Sequence, residues 1–497
     1  MDEISKSLPH FGAELVLSVA LLLVVLVDAT GVKARNGLCR ALTVLGLVAA
    51  LPLGAASGRL ATEIWSGMLV ADPLGAFFKV VLVAASLLLV LAFTFRNSSE
   101  LHGLGQGEFY ALLLAVTLSN LLLSAANDIA MLYLALEMVS LTSYVMVGYL
   151  KGDRLSNEAS LKYVLFGAVS TGVMLYGFSL LYGLSGTTAI PAIRDYLASG
   201  LPPDARFALY LVALMVLAGF GFKTAAVPFH FWCPDVYQGA ATPVTAFLSV
   251  APKAAGFAIM LRFFFSGLST RGSGGWDLAW TVDWVQLLMV VSVATMTLGN
   301  VAALTQTNMK RLLAYSSIAH AGYLMMGVVA LSENGARGLL VYLFAYLFMN
   351  LGAFLVVTLI HLHEGSFDLR DYAGMHRRQP FLSVAMAVFL LSLMGIPPLV
   401  GFMGKLYVFA AIVERGPEFW WYAVVGALNA AVAAYYYARI MKTMIMDEAE
   451  VERPAFRLHR ADFAWVTVFV LGNVVPLFFW SAIESWARAS LVLYARL

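Results

Sequence analysis

Apolar residues run through this chain in blocks of roughly 20, set apart by short polar stretches. A helix of that length crosses the roughly 30 Å hydrocarbon core of a bilayer. Reading each block as a spanning segment predicts helices over 12–30, 38–57, 73–95, 109–124, 128–150, 161–184, 206–228, 240–266, 283–304, 312–331, 337–360, 381–412, 419–445 and 463–487. The pattern therefore predicts an all-α polytopic membrane protein of about fourteen spans.

Two of these segments carry signs of breakage. In GFGFKTAAVPFHFWCPDVYQGAATPVTAFLSVAPKAAGF, Lys223 and Lys253 sit in strongly apolar sequence together with Pro228, Pro234, Pro243 and Pro252. The twelfth segment repeats the combination with Pro397, Pro398 and Lys405 in GIPPLVGFMGK. Proline removes a helical hydrogen bond, and the carbonyl it frees is tolerable in lipid only where protein or water satisfies it. Helices seven and twelve are thus expected to be discontinuous. Five segments separate them, and an odd offset reverses orientation in the membrane. That predicts two inverted five-helix repeats, 109–267 and 268–446, preceded by helices one to three in 1–108 and followed by a loop and last helix in 447–497.

Composition narrows the class further. Of 497 residues 61% are hydrophobic and 12% charged, against about 25% charged in soluble proteins. No polar stretch is long enough for a separate nucleotide-binding module. Cys39 and Cys233 lie far apart and fit neither a disulfide framework nor an iron–sulfur site. The first apolar run follows an acidic start and no small-residue cleavage site, which predicts a retained helix rather than a signal peptide. With both termini outside, the inner loops hold 16 basic residues, Lys33, Arg96, Lys310, Arg453 and Arg457 among them, and the outer side holds 10, including Arg262 and Arg496. Positive charge favours the inside, so both termini are expected outside.

Charged residues within the segments are the candidates for chemistry, because a charge at the bilayer centre costs on the order of 3 kcal/mol and usually marks a path or a partner. Glu137 lies mid-way along the fifth segment, with Tyr133, Ser140 and Tyr144 on its face. Lys223 and Lys253 are its natural partners. A Glu–Lys pair that opens and closes switches the lysine between holding and releasing a proton, whereas a fixed pair would be a structural ion pair. Lys405 follows the second break. His320 stands in YSSIAHAGY beside Ser316, Ser317 and Tyr323, suited to proton exchange or to core hydrogen bonding. Lys162 either joins this relay or extends to the interface, and Lys79 is expected to extend there. Asn300 and Asn350 either hydrate a path or join helices. The His361, His363 and Glu364 group is read as a solvated loop, and no metal site is expected.

In NDIAMLYLALEMVSLTSYVMVGY, GFKTAAVPFHFWCPDVYQGAATPVTAFLSVAPK, NMKRLLAYSSIAHAGY and GIPPLVGFMGK the chain resembles the antiporter-like membrane subunits of proton-pumping NADH:quinone oxidoreductase, respiratory complex I. The likeness covers nearly everything after the first two or three segments. PFHFWCPDVYQGA and the lysine closing GFMGK resemble the N branch of that family, counterpart of mitochondrial subunit 2. The resemblance implies fourteen core helices and a mid-membrane proton relay of Glu137, Lys223, Lys253, His320 and Lys405. It implies a translocase whose chemistry lies elsewhere, with FMN, iron–sulfur clusters and quinone in partner subunits and no cofactor in this chain. It implies a bacterial inner membrane and other membrane subunits as partners, antiporter-like and small helical ones, and no nucleic acid. Two other classes stay open: a subunit of a Mrp-type sodium/proton antiporter, and a membrane scaffold that conducts nothing. The VYQGA motif and the closing lysine weigh against the first, and the insertion cost of four buried charges against the second.

Overall fold

The computed structural model describes residues 2–491 except 32, 33, 60, 94, 96, 102, 103, 201–204, 273, 274, 280–282 and 450–453. Of the basic residues weighed for orientation, Lys33, Arg96, Arg453 and Arg496 lie outside the described residues. Among those described, twelve helices are long and apolar enough to cross a membrane. The pair Pro380–Met394 and Val400–Arg415, and the helix Trp420–Ile445, occupy the twelfth and thirteenth expected segments.

Several helix starts are set by a capping side chain rather than by hydrophobicity. Asp153 accepts from the Leu155 N–H, and the helix it starts begins at Arg154, several residues before the apolar pattern. Asp72, Asp128, Asp283, Asn308 and Ser332 cap other helices in the same way. A short helix over Ile190–Ala198 occupies what the pattern reads as a loop.

Both expected breaks are present. One helix ends at Thr224 and the next begins at Trp232. The Trp232 indole donates to the Phe222 carbonyl at 3.1 Å, and the Val227 N–H donates to Thr295 Oγ1 at 3.0 Å. Side chains thus satisfy backbone groups that the break sets free. The second break separates Met394 from Val400, with Gly395 at φ +86°. A side chain at Gly395 would be strained by that φ, and its Cβ would stand 2.8 Å from Lys405 Cδ. Pro252 breaks nothing. The helix Thr242–Leu261 passes through it and widens into a π turn over Arg262–Gly267.

Depth in the bundle separates centre from rim. The apolar window of the Thr242–Gly267 helix is 100% buried, and that of Met309–Val329 is 94% buried. The corresponding figures for Gly12–Ala29 and Arg460–Ala489 are 28% and 17%. Lys253 and His320 therefore lie on the two most enclosed helices.

Several charged residues depart from expectation. Lys79 does not extend to an interface: its Nζ is 2.8 Å from Glu14 Oε1, with both side chains 1% exposed. Glu14 falls one turn into the first helix, where an ion pair satisfies the lysine better than the snorkelling its position suggests. Arg262, expected on the outer surface, is buried against Asp72. Lys310, counted as a loop residue, is buried beside Glu100. His361, His363 and Glu364 finish the helix Glu333–Glu364 rather than forming a loop. The two rings stack on Phe367 and Phe456, and Glu364 pairs with Arg378.

Candidate functional site

Polar side chains line up through the middle of this apolar bundle. On the helix Ile129–Val147, Glu137 is half-buried, flanked by the exposed Leu134, Met138 and Leu141. Its Oε1 is enclosed without a hydrogen-bond partner. One turn on, Ser140 Oγ lies 3.5 Å from Lys223 Nζ, at the end of the first half-helix. Glu137 and Lys223 make no ion pair within 4 Å; Lys223 meets the Glu137 helix at Ser140. Tyr144, a further turn along, buries its hydroxyl without a partner; Gly167 leaves the room, since a Cβ there would fall 1.7 Å from that oxygen.

Lys223 and Lys253 are joined by packing. A Cβ on Gly256 would meet Lys223 Cγ at 3.3 Å, and Gly256 is one turn from Lys253. Glycine lets the two helices approach there. Lys253 Nζ donates to Ser317 Oγ at 2.5 Å and lies 5.7 Å from the centre of the Tyr237 ring. Ser317 Oγ also accepts from Tyr346 Oη at 2.9 Å. The Tyr346 ring packs 5.2 Å from His320. His320 Nδ1 bonds Tyr342 Oη at 2.8 Å, and its Nε2 bonds Tyr437 Oη at 3.2 Å. Tyr437 reaches Ser316 at 2.5 Å.

Lys405 closes the line. Its Nζ donates to the Leu393 and Met394 carbonyls, both at 2.9 Å, so a cation caps the open end of the half-helix Pro380–Met394 across the break. That is the favourable end of the helix dipole for positive charge. Nζ also sits 4.8 Å from the Tyr323 ring centre, and the ring of Tyr323 is 5.9 Å from that of His320.

Lys162 is not part of this line. It is 37% exposed and pairs with Glu158 at 2.8 Å and Asp235 at 2.6 Å, Asp235 also holding Arg311. Asn350 and Asn300 join helices: Asn350 donates to Ser249 at 2.5 Å, and Asn300 contacts Tyr323 and Tyr436. The sequence reading missed Tyr342 and Tyr346. Their spacing with Asn350, at every fourth residue of one helix, was a legible signal. It also missed Glu14, Asp72 and Glu100, for which no local pattern existed. Among the described residues there is no group of three His, Cys, Asp or Glu side chains able to hold a metal ion.

The fold and this buried line of lysines, hydroxyls and a histidine define a polytopic membrane protein built around an intramembrane polar axis. Residues 126–429 match the family described as NADH:quinone oxidoreductase/Mrp antiporter, TM. The chain is 43% identical to the NADH-quinone oxidoreductase subunit N of Anaeromyxobacter sp. (strain Fw109-5), covering 99% of this chain and 98% of that one. It is 45% identical to subunit N 2 of Chloroherpeton thalassium, covering 88% and 86%. A chain of respiratory complex I from Thermus thermophilus superposes with a TM-score of 0.78 at 30% identity, covering 95% and 98%. A chain of the Mrp complex from Dietzia sp. DQ12-45-1b has a TM-score of 0.81 at 19% identity, a likeness of fold. The chain belongs to the NADH:quinone oxidoreductase/Mrp antiporter membrane family and, within it, to subunit N of NADH-quinone oxidoreductase, an antiporter-like, proton-translocating subunit of a multi-subunit membrane complex.

Proposed function

We propose that protons cross this subunit along the line Glu137, Lys223, Lys253, His320 and Lys405, driven by quinone reduction in other subunits. The observation that carries this reading is the series of buried polar clusters spaced from one helix break to the other, in ring or packing contact with one another and ending on a lysine that caps open carbonyls. A lysine at a break can change partners as the half-helix moves, which is what a carrier of protons requires. Glu137, half-buried beside exposed apolar residues, is the acid at the start of the line. Lys162, held by two carboxylates and partly exposed, stands beside the line rather than in it.

In this reading the chain is a translocase module without a redox site of its own, and FMN, iron–sulfur clusters and quinone sit in partner subunits. Helices four to eight and nine to thirteen form two inverted units, and both termini face outside. A reporter fused after Arg457 then lies in the cytoplasm and one fused at the C-terminus outside; two reporters on one side would overturn that orientation. The relay is tested by Glu137→Gln and Lys223→Ala in vesicles at matched assembly. Proton translocation per electron should fall in both. Full translocation in both variants would remove these residues from the path.

A further inference from the structure

The helix that carries Lys253 is held at both ends by acids that flank a single neighbouring helix, Pro73–Ala92. At one end Asp72, the cap of that neighbour, grips Arg262 through two bonds, 2.7 Å to Nη2 and 2.9 Å to Nη1, while Arg262 Nε donates to the Ser124 carbonyl at 2.5 Å. At the other end Glu100, beyond the neighbour's last turn, accepts from the Thr242 N–H at 2.7 Å and from Lys310 Nζ at 3.2 Å. Lys310 Nζ also donates to the Ala240 carbonyl at 2.6 Å and lies 4.5 Å from the Phe367 ring centre.

The two holds differ in kind. A bidentate Arg–carboxylate pair with a further backbone bond fixes orientation. A lysine is a flexible point charge whose bonds to Glu100 and Ala240 can be exchanged one at a time. The Ala240 carbonyl ends the short half-helix Trp232–Gly239, and Thr242 begins the Lys253 helix. Three residues before Ala240, Tyr237 puts its ring beside Lys253 and buries its hydroxyl without a partner. Along the other helix, Lys310 and Ser317 are seven residues apart, on one face and separated by about 10 Å. The end of the Tyr237 half-helix, the start of the Lys253 helix and the start of the Ser317 helix therefore all meet at the Glu100–Lys310 pair.

We propose that Glu100 and Lys310 form a latch that sets the half-helix Trp232–Gly239 against Lys253 and so governs proton access to Lys253 from the end of the bundle that bears Asp235 and Arg311. They are positioning residues. With the pair closed, the Ala240 carbonyl is capped and the Tyr237 ring covers the lysine. With it open, the Ala240 end of the half-helix loses its cap while Asp235 and Gln238 stay held by Arg311 and the Arg262 end stays fixed, so movement is confined to the turn between the half-helix and Thr242. Glu100 lies outside the spanning helices. Burial pushes its carboxyl up, but Lys310, the Thr242 contacts and the nearby His361 outweigh it and hold the carboxyl below its ordinary range. The acid thus stays charged, and it is the partner's position that changes.

This inference rests on the proton-path reading above, and its test separates the two. Glu100→Gln, Lys310→Met and Lys310→Arg are built into the whole complex, with Lys223→Ala alongside, and protons translocated per electron are measured in vesicles at matched assembly. Glu100→Gln and Lys310→Met should lose protons per electron while quinone reduction continues, and Lys310→Arg, which keeps the charge and the donors, should recover most of the ratio. Where Lys310→Met assembles poorly, Glu100→Gln carries the test, since its amide oxygen still accepts from Thr242 but offers no charge to Lys310. An unchanged ratio in Glu100→Gln overturns the latch. So does full recovery in the charge-swapped Glu100→Lys with Lys310→Glu, because a carboxylate cannot cap the Ala240 carbonyl and the pair would then be a mere strut. A normal ratio in Lys223→Ala would instead sink the path itself.

Discussion

Around Lys253 and His320 most polar groups are closed on one another: Ser317 accepts from both Lys253 and Tyr346, and His320 is bonded at both ring nitrogens, with the Tyr237 hydroxyl the exception. Around Glu137 and Lys223 they are open. One carboxylate oxygen and the Tyr144 hydroxyl are enclosed without partners, and Lys223 reaches only Ser140, at 3.5 Å. A buried polar atom left unpaired costs about 1–3 kcal/mol, so an open region invites completion by water, by a moving side chain or by a neighbouring subunit. The closed half holds two bonded clusters, one at Ser317 and one at His320, that touch through the Tyr346 ring. The open half is where a change of partner can be imposed from outside, and Glu137, half-exposed on the flank of the chain, is placed to receive it.

The sharpest way to break this contrast is to remove one serine from each half. Ser317→Ala deletes the oxygen shared by Lys253 and Tyr346, and proton flux should fall by about tenfold, less than the roughly 10²–10⁴-fold worth of a positioned proton-transferring group because Lys253 and Tyr346 themselves remain. Ser140→Ala deletes only a contact at the limit of hydrogen bonding, and flux should change by less than about twofold. Equal losses in vesicle assays would erase the distinction. A smaller effect on transport, but a large one on assembly, is expected from Glu14→Ala. It leaves the buried Lys79 with only the Ser57 hydroxyl and no opposing charge, at a cost of roughly 3–5 kcal/mol. Native gel quantification should show less assembled complex, while protons per electron in what assembles stay unchanged. The smallest effect belongs to Lys162→Ala. Its side chain is 37% exposed and its ion pairs are solvated, so protons per electron should shift little, and a strong loss would move Lys162 into the line.

The sequence made the long helices, both breaks and the buried lysines legible because insertion into lipid imposes blunt rules on length, charge and proline. What it hid came from pairing across distant segments. Glu14 and Lys79 each look like an isolated charge near a helix end, and only the packing of the first and third expected spans reveals that each is the other's partner. Glu100 sits in an unremarkable polar stretch. The Glu137–Lys223 pair expected from charge is not closed here, and Lys223 Nζ lies 3.5 Å from Ser140 on the Glu137 helix. Periodicity could have yielded Tyr342 and Tyr346, because hydroxyls four residues apart share a face.

Lys253 is the point on which the whole line depends, since it joins the open half to the closed one. Arginine at that position keeps the positive charge and the donors but holds its proton at any accessible pH. The decisive measurement is therefore the number of protons translocated per electron in vesicles holding the assembled complex with Lys253→Arg, beside Lys253→Ala. If Lys253 must release its proton, the arginine variant loses protons per electron at least as severely as the alanine variant. A near-normal ratio in the arginine variant would show that only a fixed charge is needed there, and the relay through Lys253 would be wrong.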